Sequence, residues 1–144
     1  MIGFLIAILS GALMSVQGVF NTNVTKTAGL WPTNMFVQFS ALAVCVGAWI
    51  ATDRKNGLRD VFAVEPKYML LGGVFGAMIT LTVIKSMELL GPAKAVMIIV
   101  VAQLAVAYMI ELLGVFQVDR QPLEWKKVLG MALAVLGIIM FKHN

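Results

Sequence analysis

"MIGFLIAILSGALMSVQGVFNTNV", residues 1–24, decides the fold. The stretch holds no charged side chain and is longer than the about 20 apolar residues that cross a ~30 Å hydrocarbon core. It nevertheless carries Gln17, Asn21 and Asn23 near its end. Unpaired carboxamides cost several kcal/mol in hydrocarbon, so these groups need a protein or water partner. The segment has no basic leader, and its apolar run outlasts the about 7–15 residues of a signal peptide, so it is expected to stay as the first span.

Working outward, four further apolar runs of crossing length lie near 31–51, 68–87, 93–113 and 125–141. Of the 144 residues 60% are hydrophobic and 12% charged, with a mean hydropathy of +0.93. Soluble domains carry roughly one-quarter charged residues, so the chain reads as a membrane protein. The expected fold is an all-α polytopic transmembrane helix bundle of about five spans, forming a single transmembrane domain over 1–144. Lys85 and Glu88 blur the end of the third run and the last run is the shortest, so a four-span reading is the alternative.

The breaks are punctuated by "TAGLWP", "TDRKNGLRDVFAVEPK", "LLGP" and "FQVDRQPLEW". None of these is large enough to fold as a catalytic domain, so the protein acts in the bilayer or through it. Cys45 is the only cysteine and lies inside the second run, which rules out a disulfide or a zinc arrangement within the chain. It is expected to be a buried, inert thiol. No cofactor or metal is expected.

Basic residues set the orientation. With the N-terminus inside, Arg54, Lys55, Arg59, Lys67, Arg120, Lys126 and Lys127 fall on the cytoplasmic side, and Lys26, Lys85, Lys94 and Lys142 fall outside. This favours N-in and C-out, by a margin small enough to leave insertion in both orientations open. Trp31 and Trp49 bracket span two, while Tyr68 and Trp125 open spans three and five, at headgroup depth. The net charge of +4 reads as positive-inside topology and contact with anionic lipid, not as nucleic-acid binding.

Ser10, Met14, Gln17 and Asn21 share one stripe of the first helix, and Gly11, Ser15 and Gly18 form a small-residue stripe beside it. At a rise of about 1.5 Å per residue, Gln17 lies roughly 6 Å and Gln38 roughly 5 Å to the outer side of the midplane. Gln103 sits at the middle of the fourth span. Three Gln side chains from three helices are thus expected in one central layer. That layer either cross-links helices or lines the midplane cavity of a secondary transporter. Tyr108, inside span four, needs a partner for its hydroxyl among neighbouring helices and counts with Asn21 among the cavity candidates. Glu111 follows Gln103 by about two turns near the inner interface, where an interfacial role and proton coupling are both open. Lys85 and Glu88 are spaced to pair with each other, with a gate or anion site as the alternative for Lys85. Gly72 and Gly76, and Gly130, Ala134 and Gly137, offer smooth faces for helix packing or a dimer contact.

"GALMSVQGVFNTNV", "LGPAKAVMIIVVAQLAVAYMIELLGVF" and "LEWKKVLGMALAVLGIIMF" together resemble the YdcZ-type family of the drug/metabolite transporter superfamily. The resemblance runs through Gln17, Gly18 and Asn21 in the first helix and through Gln103, Glu111, Gly114 and Phe116 around the fourth. At the acidic position that family often has Asp, where this chain has Glu111. The resemblance implies a half-size bacterial inner-membrane exporter that pairs with a second copy or an inverted homologous chain. Related small multidrug resistance proteins carry a buried Glu in helix one for cation and proton, whereas this helix has Gln17 and no carboxylate. Carboxamides hydrogen-bond without titrating, which suits a neutral or zwitterionic solute.

The reading that follows is a small-molecule transporter working by alternating access, with Gln17, Asn21, Gln38, Gln103 and Tyr108 at the substrate and Glu111 or Lys85 as coupling or gate groups. The rival is a non-transporting membrane subunit whose polar layer packs helices or docks a partner. A channel lacks a ring of charges in the spans. An intramembrane enzyme lacks a nucleophile beside a base, and His143 is terminal.

Overall fold

The computed structural model describes residues 1–52 and 57–142. Arg54 and Lys55 of the orientation count, and His143, lie outside the described residues. Among the described residues the chain is helical, without strands: α1 (Ile2–Ala28), α2 (Leu30–Thr52), α3 (Leu58–Phe62), a 3₁₀ turn (Lys67–Leu71), α4 (Gly72–Leu90), α5 (Pro92–Leu113) and α6 (Trp125–Lys142). The five apolar runs fall on these helices, and four of the five segments have the length and hydropathy of a membrane span. The helices Ile2–Ala28 and Leu30–Thr52, the segment Lys67–Leu90 and the helix Pro92–Leu113 are long and apolar enough to cross a membrane. In α6, Lys126 and Lys127 occupy the first turn, and the uncharged stretch 128–141 spans about 21 Å at about 1.5 Å per residue. The chain divides into two compact units, Met1–Glu88 and Leu89–Asn144.

In the first unit, α1 and α2 are separated by Gly29 alone. Its φ of 84° and ψ of 164° lie in a region essentially restricted to glycine. The Gly29 N–H donates to Thr25 O at 2.9 Å, closing α1, and the Gly29 carbonyl accepts from Thr33 Oγ1 at 2.7 Å. Pro32 falls in the first turn of α2, where a helix N–H has no intrahelical partner to lose. Lys26 in the last turn of α1 complements that end of the helix dipole.

Hydroxyls in these apolar helices are satisfied by their own backbones. Ser10, Ser15, Thr22, Thr25, Thr52, Thr80 and Thr82 each donate to the carbonyl four residues earlier. That removes most of the cost of a hydroxyl in hydrocarbon and explains how these residues sit in spanning segments.

The core of this unit gathers Leu81, Ile84 and Met87 of α4 with Gly18, Thr22 and Thr25 of α1 and Thr33 and Asn34 of α2, all buried. Gly18 is the close approach. A Cβ there would overlap Met87 Cε, with Met87 Sδ at 2.8 Å and Val83 Cγ1 at 3.3 Å. The small-residue stripe of the first helix therefore does what its composition suggests at Gly18. The glycines at 72, 76, 130 and 137 differ, because a Cβ at each would meet nothing within 4 Å. Their expected close packing is not made within the described chain.

In the second unit, α5 ends at Gly114, whose φ of 64° and ψ of 36° are left-handed and whose N–H donates to Ile110 O at 2.9 Å. The following loop turns back over the helix end, where carbonyls lack intrahelical partners. Gln121 N–H donates to Glu111 O at 2.8 Å, and Arg120 Nε donates to Leu112 O at 3.1 Å.

Candidate functional site

Two stripes of α1 have different surroundings. Gly18, Thr22 and Thr25 face the core, while Gln17, Phe20, Asn21 and Val24, one residue out of phase, line a cleft of about 560 Å³ between α1 and α2. Across it stand Thr33, Phe36, Val37, Ser40, Ala41, Val44 and Cys45 of α2. The volume is in the roughly 300–1,000 Å³ range of small-molecule sites. No lining residue carries a charge.

The polar groups in the cleft are not equivalent. Thr33 Oγ1 donates to Gly29 O, and Ser40 Oγ donates to Val37 O at 2.9 Å, so both hydroxyls keep only lone pairs to offer. The side chains of Gln17 and Asn21 make no hydrogen bond to any of the described residues. Several unmet donors and acceptors therefore project from one wall of an otherwise apolar cleft.

Gln38 lies outside the cleft lining. Its Nε2 donates to Asn34 Oδ1 at 3.2 Å and to Thr80 Oγ1 at 3.3 Å, while Asn34 Nδ2 donates to Ala77 O at 3.3 Å. The pair ties α2 to α4. Asn34 was not among the sequence candidates. Its signal is its position one helical turn before Gln38, which puts two carboxamides on one face.

Cys45 corrects an expectation. It is exposed and lines the cleft instead of being buried. The physical reason lies in α2, where every residue from Phe39 to Thr52 is exposed, so this half of the helix has no core to enter within the chain.

The remaining candidates lie on other elements. Lys85 Nζ donates to Glu88 Oε2 at 2.8 Å along α4, the pairing that their spacing suggests. Gln103, midway along α5, is exposed and makes no hydrogen bond to the described residues. Tyr108 is buried, and its hydroxyl accepts the Glu124 N–H at 2.9 Å. Its partner is thus the backbone of the loop residue just before α6, not a side chain of a neighbouring helix. Lys127 lies 5.6 Å from the centre of the Tyr108 ring, 3.2 Å from Glu124 and 3.7 Å from Glu111. Glu111 is therefore one member of a partly exposed charge cluster.

The resemblance rested on Gln17, Gly18 and Asn21 of the first helix and on Gln103, Glu111, Gly114 and Phe116 around the fourth span, and the comparison with family models agrees. The model described as "Putative inner membrane exporter, YdcZ" matches residues 2–140. The chain belongs to the YdcZ family. No curated protein and no solved structure matches it. For a YdcZ protein, the span-length apolar helices have their expected setting in a membrane, and the family description is that of a transporter, not an enzyme. The match includes both Gln17 and Gln103.

Proposed function

We propose that the chain is one half of a secondary transporter that exports a small molecule across the bacterial inner membrane by alternating access, with Gln17 and Asn21 as its substrate-facing groups. The observation that carries this reading is the pair of unpartnered carboxamides on the wall of the α1–α2 cleft. In hydrocarbon such groups are too costly to leave unmet, so the cleft holds water, a solute or part of another chain. Alternation between water and solute at one membrane-embedded site is what a transporter requires.

In this reading Gln38 braces α2 against α4. Gln103 adds a third carboxamide at the middle of α5, and Tyr108 sets the start of α6. Glu111 and Lys85 act at the membrane edges as coupling or gating groups. A second copy, or a homologous chain of opposite orientation, completes the cavity and covers the exposed halves of α1 and α2. The N-terminus is cytoplasmic and the C-terminus external in the favoured orientation.

The test is counterflow in proteoliposomes with a panel of neutral and zwitterionic solutes, because passive leakage cannot be stimulated from the opposite side. Gln17→Ala and Gln103→Ala are expected to abolish counterflow while keeping the assembly seen by size-exclusion chromatography. Unchanged counterflow in both would remove the site assignment. Loss of assembly in both would favour the rival reading of a non-transporting subunit, for which the Asn34–Gln38 brace is the supporting observation. Reporters fused to each terminus separate a dual-topology homodimer, with both orientations present, from a pair with an inverted relative.

A further inference from the structure

The chemistry of the cleft narrows what it can hold, and this inference rests on the transport reading of that site. Its walls are mainly apolar and include Phe20 and Phe36, both of which are largely exposed. A charged solute would leave water without meeting a counter-charge, since no residue lining the cleft is ionisable apart from the Cys45 thiol. The Thr33 and Ser40 hydroxyls have spent their protons on backbone carbonyls. The donors that remain are the amide N–H groups of Gln17 and Asn21, each beside its own acceptor oxygen.

A carboxamide is complemented by a group that also presents a donor next to an acceptor. Two parallel hydrogen bonds then form, and neither partner has to change its protonation. We propose that the α1–α2 cleft takes an uncharged amphipathic solute whose polar edge is an amide-like donor–acceptor pair and whose apolar body lies against Phe20 and Phe36. Fixed cations and carboxylates of the same size are excluded from it.

The full chain in lipid nanodiscs, with empty nanodiscs subtracted for partitioning, tests this with three probes of one aromatic body. These are N-acetylphenylalaninamide (neutral), N-acetylphenylalanine as its carboxylate, and phenethyltrimethylammonium. Saturable binding is expected for the neutral probe, with the two ions weaker by about tenfold or more, a difference of about 1.4 kcal/mol. The double variant Gln17→Leu/Asn21→Leu is expected to lose about tenfold or more in affinity for the neutral probe, while Asn23→Leu, outside the cleft, keeps it. Helix content and elution volume confirm that each variant folds.

Equal or tighter binding of either ion, unchanged affinity in the double variant, or no saturable binding of any probe would overturn the inference. Counterflow of the same probes separates it from the transport reading. Binding of the neutral probe without counterflow would keep the cleft chemistry and remove transport. Counterflow of the cation alone would keep transport and remove this inference.

Discussion

Asn34 and Gln38 on α2 and Gln17 and Asn21 on α1 are the same chemistry in one unit, separated by a single glycine hinge, and they have opposite surroundings. The α2 pair is consumed: three hydrogen bonds link it internally and to α4. The α1 pair has no partner among the described residues and projects into an uncharged cleft. Residue type and depth do not separate the two pairs. What separates them is phase around the helix, because the stripe one residue from Gln17, through Gly18, Thr22 and Thr25, takes the contact with the core. Two spanning helices of one unit can therefore carry the same side chains, one pair as a brace and the other facing a cleft.

The comparison breaks hardest at Gly18. A leucine there must displace Met87 and Val83, and such overpacking costs about 1–3 kcal/mol. Gly18→Leu is expected to lower the unfolding midpoint in detergent, whereas Gly11→Leu, which meets nothing within 4 Å, shifts stability by less than about 0.5 kcal/mol. Equal effects at the two positions would mean that α1 does not pack on α4 through Gly18.

Next in size is the brace itself. Asn34→Leu removes the bond to Ala77 and one acceptor of Gln38, and is expected to destabilise by about 1–2 kcal/mol, the upper range for interhelical bonds in membranes. Gln17→Leu removes no intrachain bond and is expected to leave the same midpoint within about 0.5 kcal/mol. Matching losses would place both carboxamides in packing roles.

A third variant carries the comparison into the second unit, where Tyr108 is a brace of another kind. Tyr108→Phe keeps the ring and removes the acceptor for the Glu124 N–H, for an expected cost of about 0.5–1.5 kcal/mol. Faster hydrogen exchange at Glu124 and Trp125 would be its local signature, and unchanged protection there would contradict the role. The smallest effect is expected at Lys85→Ala, whose partly exposed pair with Glu88 is worth about 0–1 kcal/mol by denaturation in detergent.

Much of the fold was legible because helices in hydrocarbon must satisfy their backbones internally, so run length alone locates them. The apolar runs at 2–24, 31–51, 68–87, 93–113 and 125–141 recur as helices whose ends differ by a few residues. "TAGLWP" marked the α1–α2 break, although only the positive φ of Gly29 shows that one residue suffices to make it.

The site was legible as a set of carboxamides and not as partners. Spacing shows that Gln17 and Asn21 share a face, but not whether that face meets a core or a cleft. Gln38 was read together with them because depth was the only coordinate available. Asn34 escaped notice for lack of an apparent partner, since its bond to Ala77 joins residues 43 apart in the chain. Cys45 was misjudged because an apolar run suggests burial, whereas in a single chain of a membrane protein an apolar helix half can stand free of any core.

Cys45 gives the most direct test of the central claim, that the α1–α2 cleft is open to water and solute. It is the only cysteine in the chain and lines that cleft, so alkylation by N-ethylmaleimide in native membranes reports on the site without mutagenesis. Cys45 is expected to be alkylated in the folded protein, and saturating N-acetylphenylalaninamide is expected to slow the reaction. A thiol that stays inert in membranes and reacts only after denaturation would contradict it.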